Sequence, residues 1–417
     1  MPKTHYHWQD SNNKPPIIEP HSIAKHEVLR NYLIRYIQVL ASNQQYSSLR
    51  LVLVDGFAGG GLYRRWDNDQ EYEGSPLIMM RAAHDAANLV NEDRKKQFEL
   101  KPSFIFVEKN IKGFQSLERV IHGSDLPFVE QVSLHYGCFT EKIIPILQDI
   151  QSSQYGRAIF LLDQYGYTDV PMSAIKTIFH TLPKAEVLLT FSVDAMMDYF
   201  DSTRRRGILD RIGLEQHIQA DSQLLSRIAR KQKIQMELGK GIHHESGAAF
   251  YTPFFIRSAA SPRGYWFIHL SNHFRARDEM IKLHWNMHTH FIHYGNGGLS
   301  MLAYDPRHDS KLTGEREFIF GKTERDQSVE QLQEDIPKYI VDTIGQKGVT
   351  LEQFLHNKFN DTPADVNMIK EVLGASIRER DLLVYGPNGE TRRSGSAITQ
   401  KDIICPNPQQ KLPLIFR

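Results

Sequence analysis

The sequence predicts an α/β fold: a doubly wound, mostly parallel sheet followed by a smaller helical domain. Two observations carry this. From Leu51 onward, apolar runs rich in β-branched residues alternate with amphipathic stretches, and three of those runs end in an acidic residue, Asp55, Glu108 and Asp163. Near residue 300 the alternation stops, and three short helical patterns and a hairpin signal follow.

Residues 1–20 read as an irregular arm ending in Pro15-Pro16 and Pro20. From His21 to about Asn43, Ile23, Val28, Leu29, Tyr32, Leu33, Tyr36, Ile37 and Leu40 recur at helical spacing. Leu51–Val54 is a buried strand that ends at Asp55 and opens into Gly56-Phe57-Ala58-Gly59-Gly60-Gly61. Residues 62–74, polar and aromatic with Arg64, Arg65 and Trp66, read as a long loop beside that turn, a candidate lid. A helix at about 75–90 leads to the strand Phe104–Glu108. Helix 110–122, strand 129–135, helix 140–150, strand 157–162, helix 171–181 and strand 185–191 continue the alternation. Residues 195–245 read as a less regular helical insertion. The runs Tyr251–Ile256 and Tyr265–Leu270 are placed to close the sheet, and a helix at about 277–290 follows.

The domain boundaries expected are 1–45 for arm and helix, 46–310 for the α/β domain and 325–417 for the last domain. That domain reads as helices at 329–345, 350–358 and 364–378 and a hairpin at 381–393 turning at Gly386-Pro387-Asn388-Gly389, a winged-helix-like set. Ile336, Ile340, Val341 and Ile344 are among its expected core residues.

The 417 residues carry a net charge of +1, so no whole-protein field attracts nucleic acid, and any such contact needs a local patch. Cys138 and Cys405 are the two cysteines; neither belongs to a Cys-x-x-Cys pair, which argues against a thiolate zinc site and fits a reducing cytoplasm. No signal-peptide core and no bilayer-length apolar run is expected.

Glycines after a strand let the backbone take positive φ and let a ligand approach main-chain N–H groups. A carboxylate at the next strand end, Glu108, is suited to the hydroxyls of a ribose. Three acidic strand ends in this order make a nucleotide-type site. A dinucleotide is disfavoured, because the third glycine of G-x-G-x-x-G is replaced by Arg64.

At these residues the chain resembles class I S-adenosylmethionine (SAM) methyltransferases, and more closely the three-Cys-motif partner proteins. The resemblance rests on His21-Ser22-Ile23-Ala24-Lys25-His26, Asp55-Gly56-Phe57-Ala58-Gly59, Gly74-Ser75-Pro76-Leu77, Phe160-Leu161-Leu162-Asp163-Gln164-Tyr165-Gly166-Tyr167 and His269-Leu270-Ser271-Asn272-His273. It implies a Rossmann-like methyltransferase core that uses SAM and associates with a three-Cys-motif protein of radical-SAM type. It also implies cofactor roles for Asp55, Gly56, Phe57, Ala58, Gly59 and Gly61 around the methionine part, and for Glu108 at the ribose. Many relatives of this fold carry an Asp for the adenine amine where Cys138 stands, so backbone groups of Cys138 and Phe139 and ring stacking are the expected substitutes.

Asp163-Gln164-Tyr165-Gly166 stands where amino-directed methyltransferases carry Asp/Asn-Pro-Pro-Tyr/Phe. A carboxylate and the Gln164 carbonyl accepting N–H groups would localise an amine lone pair, and Tyr165 would stack on a base. The expected activity is methylation of a nucleobase amine in DNA or RNA. The alternatives are methylation of a protein or small molecule, and a non-catalytic SAM- or nucleic-acid-binding partner.

Candidate phosphate contacts are Lys25, the basic run opening at Arg204 and Arg205, and Arg392 and Arg393 on the hairpin. His284, His288, His290 and His293 invite a metal reading, but without H-E-x-x-H they read as packed or surface residues, and no metal is expected.

Overall fold

The computed structural model describes residues 14–92, 94–153, 155–165, 167–192, 205–218, 227–258, 261–287, 291–294, 297–299 and 317–408. The chain divides into two units, Met1–Leu283 and His284–Arg417.

The first unit begins with β1 (Ile17–Ile18), α1 (Pro20–Ala41), β2 (Ser48–Asp55), β3 (Leu62–Arg65), β4 (Glu71–Glu73) and α2 (Ser75–Glu92). It continues with β5 (Glu99–Glu108), α3 (Ile111–His122), β6 (Val132–Tyr136), α4 (Phe139–Ser152), β7 (Ala158–Leu162), α5 (Met172–Thr181) and β8 (Ala185–Phe191). Helices α6 (Arg205–Ile212) and α7 (Arg227–Ser246), strands β9 (Phe250–Ser258) and β10 (Ser261–Ser271), and helix α8 (Phe274–Met287) follow; the division between the units falls within α8.

The main sheet has the order β6-β5-β2-β7-β8-β10-β9. Strands β6, β5, β2, β7 and β8 are parallel, and β10 runs antiparallel to both β8 and β9. Counted by sequence, this is third, second, first, fourth, fifth, seventh, sixth: a doubly wound, Rossmann-like sheet closed by an antiparallel hairpin. Burial follows position. Every residue of β7 and β8 is buried, whereas the edge strand β6 is partly exposed throughout. The order reverses beside β2, and the crevice above the carboxyl ends of β2, β5 and β7 is where such sheets bind ligands.

The loop expected at 62–74 is instead a hairpin. β3 and β4 pair antiparallel with Arg64 facing Glu71, and β1 joins β3 in parallel, with Ile17 beside Arg64. The strands are short and held by polar contacts: Arg65 pairs with Asp67 at 2.7 Å, and the Arg64 Nε–H donates to the Pro15 carbonyl at 2.7 Å. A search for apolar periodicity passes over such a hairpin.

Helix α1 buries Val28, Leu29, Tyr32, Leu33 and Ile37, each worth about 1.5–3 kcal/mol when fully removed from water. Its Tyr32 hydroxyl donates to Glu186 of β8, and His269 Nε2 of β10 lies 2.9 Å from the same carboxylate. All three side chains are buried, so the network fixes the helix against two strands of the sheet.

In the second unit, β11 (Phe291–Tyr294) pairs with β12 (Glu317–Ile319). α9 (Lys322–Tyr339), β13 (Val349–Thr350), α10 (Leu351–Lys358), α11 (Val366–Arg378), β14 (Leu382–Tyr385) and β15 (Ile403–Pro406) then form a winged-helix arrangement with sheet order β13-β15-β14. Leu332, Ile336, Phe354, Ile369, Val372 and Ile404 fill its core. Val341, expected inside, is 52% exposed, because residues Ile340–Ile344 form a π turn that shifts the helical register. The hairpin at 381–393 keeps its turn, with Gly389 at φ +83°, but the return strand is reduced to the single bridge Tyr385–Thr391. β14 pairs instead with β15, so the wing closes through residues 403–406. Among the described residues, no helix is long and apolar enough to cross a membrane.

Candidate functional site

A cavity of about 490 Å³ lies at the carboxyl ends of the parallel strands. Gly56, Phe57, Gly59, Glu108, Cys138 and Phe139 line it, as do Lys25, Asp163, Gln164 and Tyr165. Thus most of the residues singled out from the sequence share one space.

The glycine turn folds tightly, with Gly59 at φ +65° and Gly61 at φ +85°. Gly56 is required by close approach: a Cβ there would lie 2.8 Å from the Phe139 ring and 2.9 Å from Leu162. Asp55, Ala58 and Gly61 are not on the cavity wall; all three are buried. Asp55 is fully buried, and its Oδ1 accepts the Phe57 N–H at 2.9 Å. Burial pushes its carboxyl up to about 7, with the negative charges of Asp163 and Glu108 adding to the shift.

Glu108 bridges the strand ends. Its Oε2 accepts the Gly59 N–H at 2.8 Å, and its Oε1 accepts the Asn110 N–H at 2.6 Å. Burial raises its pKa, against the pull of those two N–H groups. Each oxygen has a second lone pair, and Glu108 lines the cavity. Gly137, at φ +135°, turns the chain from β6 into α4, so that the exposed Cys138 caps the helix and Phe139 begins it.

Lys25 Nζ of α1 donates to both oxygens of Asp163, at 2.5 and 2.6 Å. Burial alone would raise the Asp163 carboxyl; the Lys25 charge and its hydrogen bonds outweigh this and hold it below the usual carboxylate range. His21 and His26 flank Lys25. Burial pushes them down to about 3 and about 4, so both imidazoles are neutral at pH 7. Gln164 acts as a clamp: its Oε1 accepts the N–H groups of Asp169 and Val170 at 3.0 and 3.1 Å. Tyr165 is 54% exposed at the cavity mouth. Gly166 lies outside the described residues.

Two buried polar atoms here, His26 Nδ1 and Gln164 Nε2, have no hydrogen-bond partner among the described residues, whereas Asp55 and Thr190 hydrogen-bond to Ser75 and Asp163. Both His26 and Gln164 line the cavity. Buried polar groups are nearly always satisfied, so this clustering fits a polar ligand.

Sequence reasoning weighed His26 beside Lys25 and assigned no role to His21, Thr190 or Arg211, all of which line the cavity. Arg211 belongs to the same basic stretch of sequence that opens at Arg204, which is a signal that was available. Arg204 lies outside the described residues, and Arg205 opens α6. Arg393 is exposed, whereas Arg392 is committed within its own unit, to the buried Asp402 at 2.6 Å and to Glu390 at 3.2 Å. Of the four histidines considered for a metal, His284 is buried, with its ring 6.0 Å from Phe320. His288 and His290 lie outside the described residues, and His293 is on β11.

Among curated proteins none matches this sequence. Among solved structures, Trm1 from Pyrococcus horikoshii in complex with S-adenosyl-L-methionine is similar at 11% identity, covering 91% of this chain and 90% of that one, with a TM-score of 0.34. A candidate O-methyltransferase from Klebsiella pneumoniae is similar at 11% identity over 61% of this chain and 91% of that one, with a TM-score of 0.27. These likenesses are loose, and the fold is defined by the chain's own strand order. Residues 303–389 match the family described as GMT-like wHTH domain, which agrees with the winged helix seen in the second unit.

Proposed function

We propose that the chain is a SAM-dependent methyltransferase acting on an exocyclic amino group of a nucleobase in DNA or RNA. One observation carries the reading: a single cavity joins the glycine turn and Glu108 to the Asp163-Gln164-Tyr165 strand end, with unpartnered buried polar atoms on its wall. The residues present fit SAM. Glu108 would take the ribose hydroxyls on its remaining lone pairs, Phe139 and the Cys138 backbone would meet the adenine, and the turn from Gly56 to Gly59 would face the methionine part. When bound, SAM supplies an electrophilic methyl group.

The acceptor end supports an amine. Lys25 keeps Asp163 ionised, so at neutral pH both carboxylate oxygens are acceptors. Their remaining lone pairs would take N–H groups of the incoming amine and draw its lone pair out of conjugation with the ring. The exposed Tyr165 ring offers a stacking face. With SAM bound, its methyl group would pass to the amine nitrogen as the C–S bond breaks, and the extra N–H proton would leave to water, because Asp163 in this pair is a weak base.

The winged helix and the exposed Arg393 support a nucleic-acid substrate, since a backbone phosphate is the natural partner of an uncommitted arginine. A second reading is favoured by the Lys25–Asp163 contact itself, in which an amine already occupies the carboxylate. If that bridge never opens to substrate, the chain is a non-catalytic SAM- or nucleic-acid-binding partner of a three-Cys-motif protein. Tritiated SAM incubated with mixed nucleic acid, and separately with cell protein, tests this. Label in nucleic acid is the expected result. Label confined to protein overturns the substrate, and label in neither, with SAM binding intact by calorimetry, leaves the partner reading.

A further inference from the structure

We propose that His217, His244 and Glu245 form a binding site for a divalent transition-metal ion of the Zn²⁺ type. None of the three lines the cavity described above. His217 ends the short turn Glu215–His217, and the other two lie in the last turn of α7. His217 Nε2 is 2.7 Å and His244 Nδ1 is 2.9 Å from the same oxygen, Glu245 Oε1. The three ligand atoms lie within 4.8 Å of one another.

The donor set decides the class of ion. Two imidazole nitrogens and one carboxylate oxygen suit Zn²⁺ and its neighbours, whereas Ca²⁺ and Mg²⁺ prefer oxygen alone. Metal–ligand bonds of about 2.0–2.2 Å in a tetrahedral site put adjacent ligand atoms roughly 3.3–3.5 Å apart. The present separations are therefore about half an ångström short on the carboxylate edges, a gap that small side-chain rotations open. The imidazole rings are tilted by 51° with centroids 5.1 Å apart, so they are not stacked on each other and both aim a nitrogen at one point. His244 is 74% exposed, His217 24% and Glu245 30%, which leaves an entry path and room for water at the remaining coordination position.

A separate feature brings the ligands together. At Gly241 of α7 a Cβ would lie 2.9 Å from the Cβ of His217 and 3.3 Å from Leu214. The helix reaches the 215–217 turn closely because residue 241 has no side chain. That approach places His217 over the His244-Glu245 step. A bound ion would replace the shared hydrogen bonds and tie the turn to the helix end.

The full chain, without an affinity tag, is stripped with chelator and titrated with ZnCl₂ by calorimetry and with CoCl₂ by visible absorption. Wild type is expected to take up one ion at this site and to give the d–d bands of four- or five-coordinate Co²⁺. His217→Ala and Glu245→Gln should each weaken uptake by at least the roughly 10–100-fold that loss of an outer-shell partner costs. Gly241→Ala, which keeps every ligand and suits a helix, should weaken it too while the far-ultraviolet circular dichroism is unchanged. Absence of uptake by wild type at millimolar Zn²⁺, or equal uptake by wild type and folded His217→Ala, overturns the site.

Discussion

Lys25→Met removes the cation from a pair whose Nζ lies 2.5 and 2.6 Å from the two oxygens of Asp163. Methionine keeps most of the apolar stem, so the change isolates the charge. The Lys25 side chain is 7% exposed and that of Asp163 is 21% exposed. Breaking a buried pair by removing one partner costs about 3–5 kcal/mol, and the solvent reaching Asp163 brings this down to about 2–3 kcal/mol. The pH dependence fixes the sign. In wild type the Asp163 pKa is depressed, so its contribution is present above the unfolded value, near 3.9, and is lost as pH falls through the folded value. In the variant the Lys25 charge and its hydrogen bonds are gone while burial and the Thr190 hydrogen bond remain, so the pKa rises from its wild-type position and the native state binds a proton that wild type does not. The stability gap between the two proteins should therefore be full at pH 7 and narrow toward pH 4. Urea unfolding followed by tryptophan fluorescence, with Trp266 buried in the sheet, measures it at both values. Adding Asp163→Asn to Lys25→Met should recover part of the loss, because no unpaired charge is left. A gap below about 0.5 kcal/mol at pH 7, the size of an ordinary surface change, or a gap that widens in acid, would refute the reasoning.

Four further outcomes follow from the same geometry. Glu108→Ala should weaken SAM binding by about 1.5–3 kcal/mol, roughly tenfold to a hundredfold by calorimetry, since it removes charge-assisted acceptors; unchanged affinity excludes the ribose role. Asp163→Asn should abolish most turnover in the tritium assay while SAM affinity persists, and full activity would remove Asp163 from the chemistry. Gly56→Ala should cost about 1–3 kcal/mol in urea unfolding, through the overpacked contact with Phe139 and Leu162; a neutral effect would mean the turn is more yielding than its spacing implies. Arg393→Ala should flatten the salt dependence of nucleic-acid binding, whereas Arg392→Ala should lower the unfolding midpoint by leaving the buried Asp402 without its cation. If the two variants exchange these effects, the assignment is reversed.

The parts of the site legible in the sequence are those whose physics is local. A central parallel strand is buried on both faces, so Leu51–Val54 and Ile159–Leu162 read as continuous apolar runs, and the residue at the end of each is at the crevice by construction. The edge strand β6 was legible, but it begins at Val132, after a short helical turn at Val129–Gln131 that the sequence reading takes into the strand. What the sequence hid depends on pairing at a distance. Nothing near Lys25 announces Asp163, 138 residues away, as its partner. The Gln164 amide reads as a poor substitute for proline until its oxygen is seen to hold the N–H groups of Asp169 and Val170. Arg392 and Arg393 are equivalent in one dimension; the buried Asp402 separates them in three. His217, His244 and Glu245 were invisible for the same reason, since the glycine that brings them together belongs to a helix 24 residues beyond the turn.

The N-terminal helix is part of the site and not merely its neighbour. Lys25, Val28, Leu29 and Tyr32 recur at positions three, four and seven apart, so they share one face of α1, and all are buried. Lys25 meets Asp163 at the end of β7, and two turns later Tyr32 meets Glu186 of β8, which His269 of β10 also holds. Further along, Arg35 pairs with Glu279 of α8 at 2.7 Å. A helix is stiff over that length, so the position of the Lys25 ammonium is set by contacts with two strands and a second helix. The charge state of Asp163, and with it the capacity of the cavity to accept an N–H donor, is then a property of how α1 docks on the sheet. The sheet supplies the carboxylate and the glycine turn, and the docked helix keeps that carboxylate ionised.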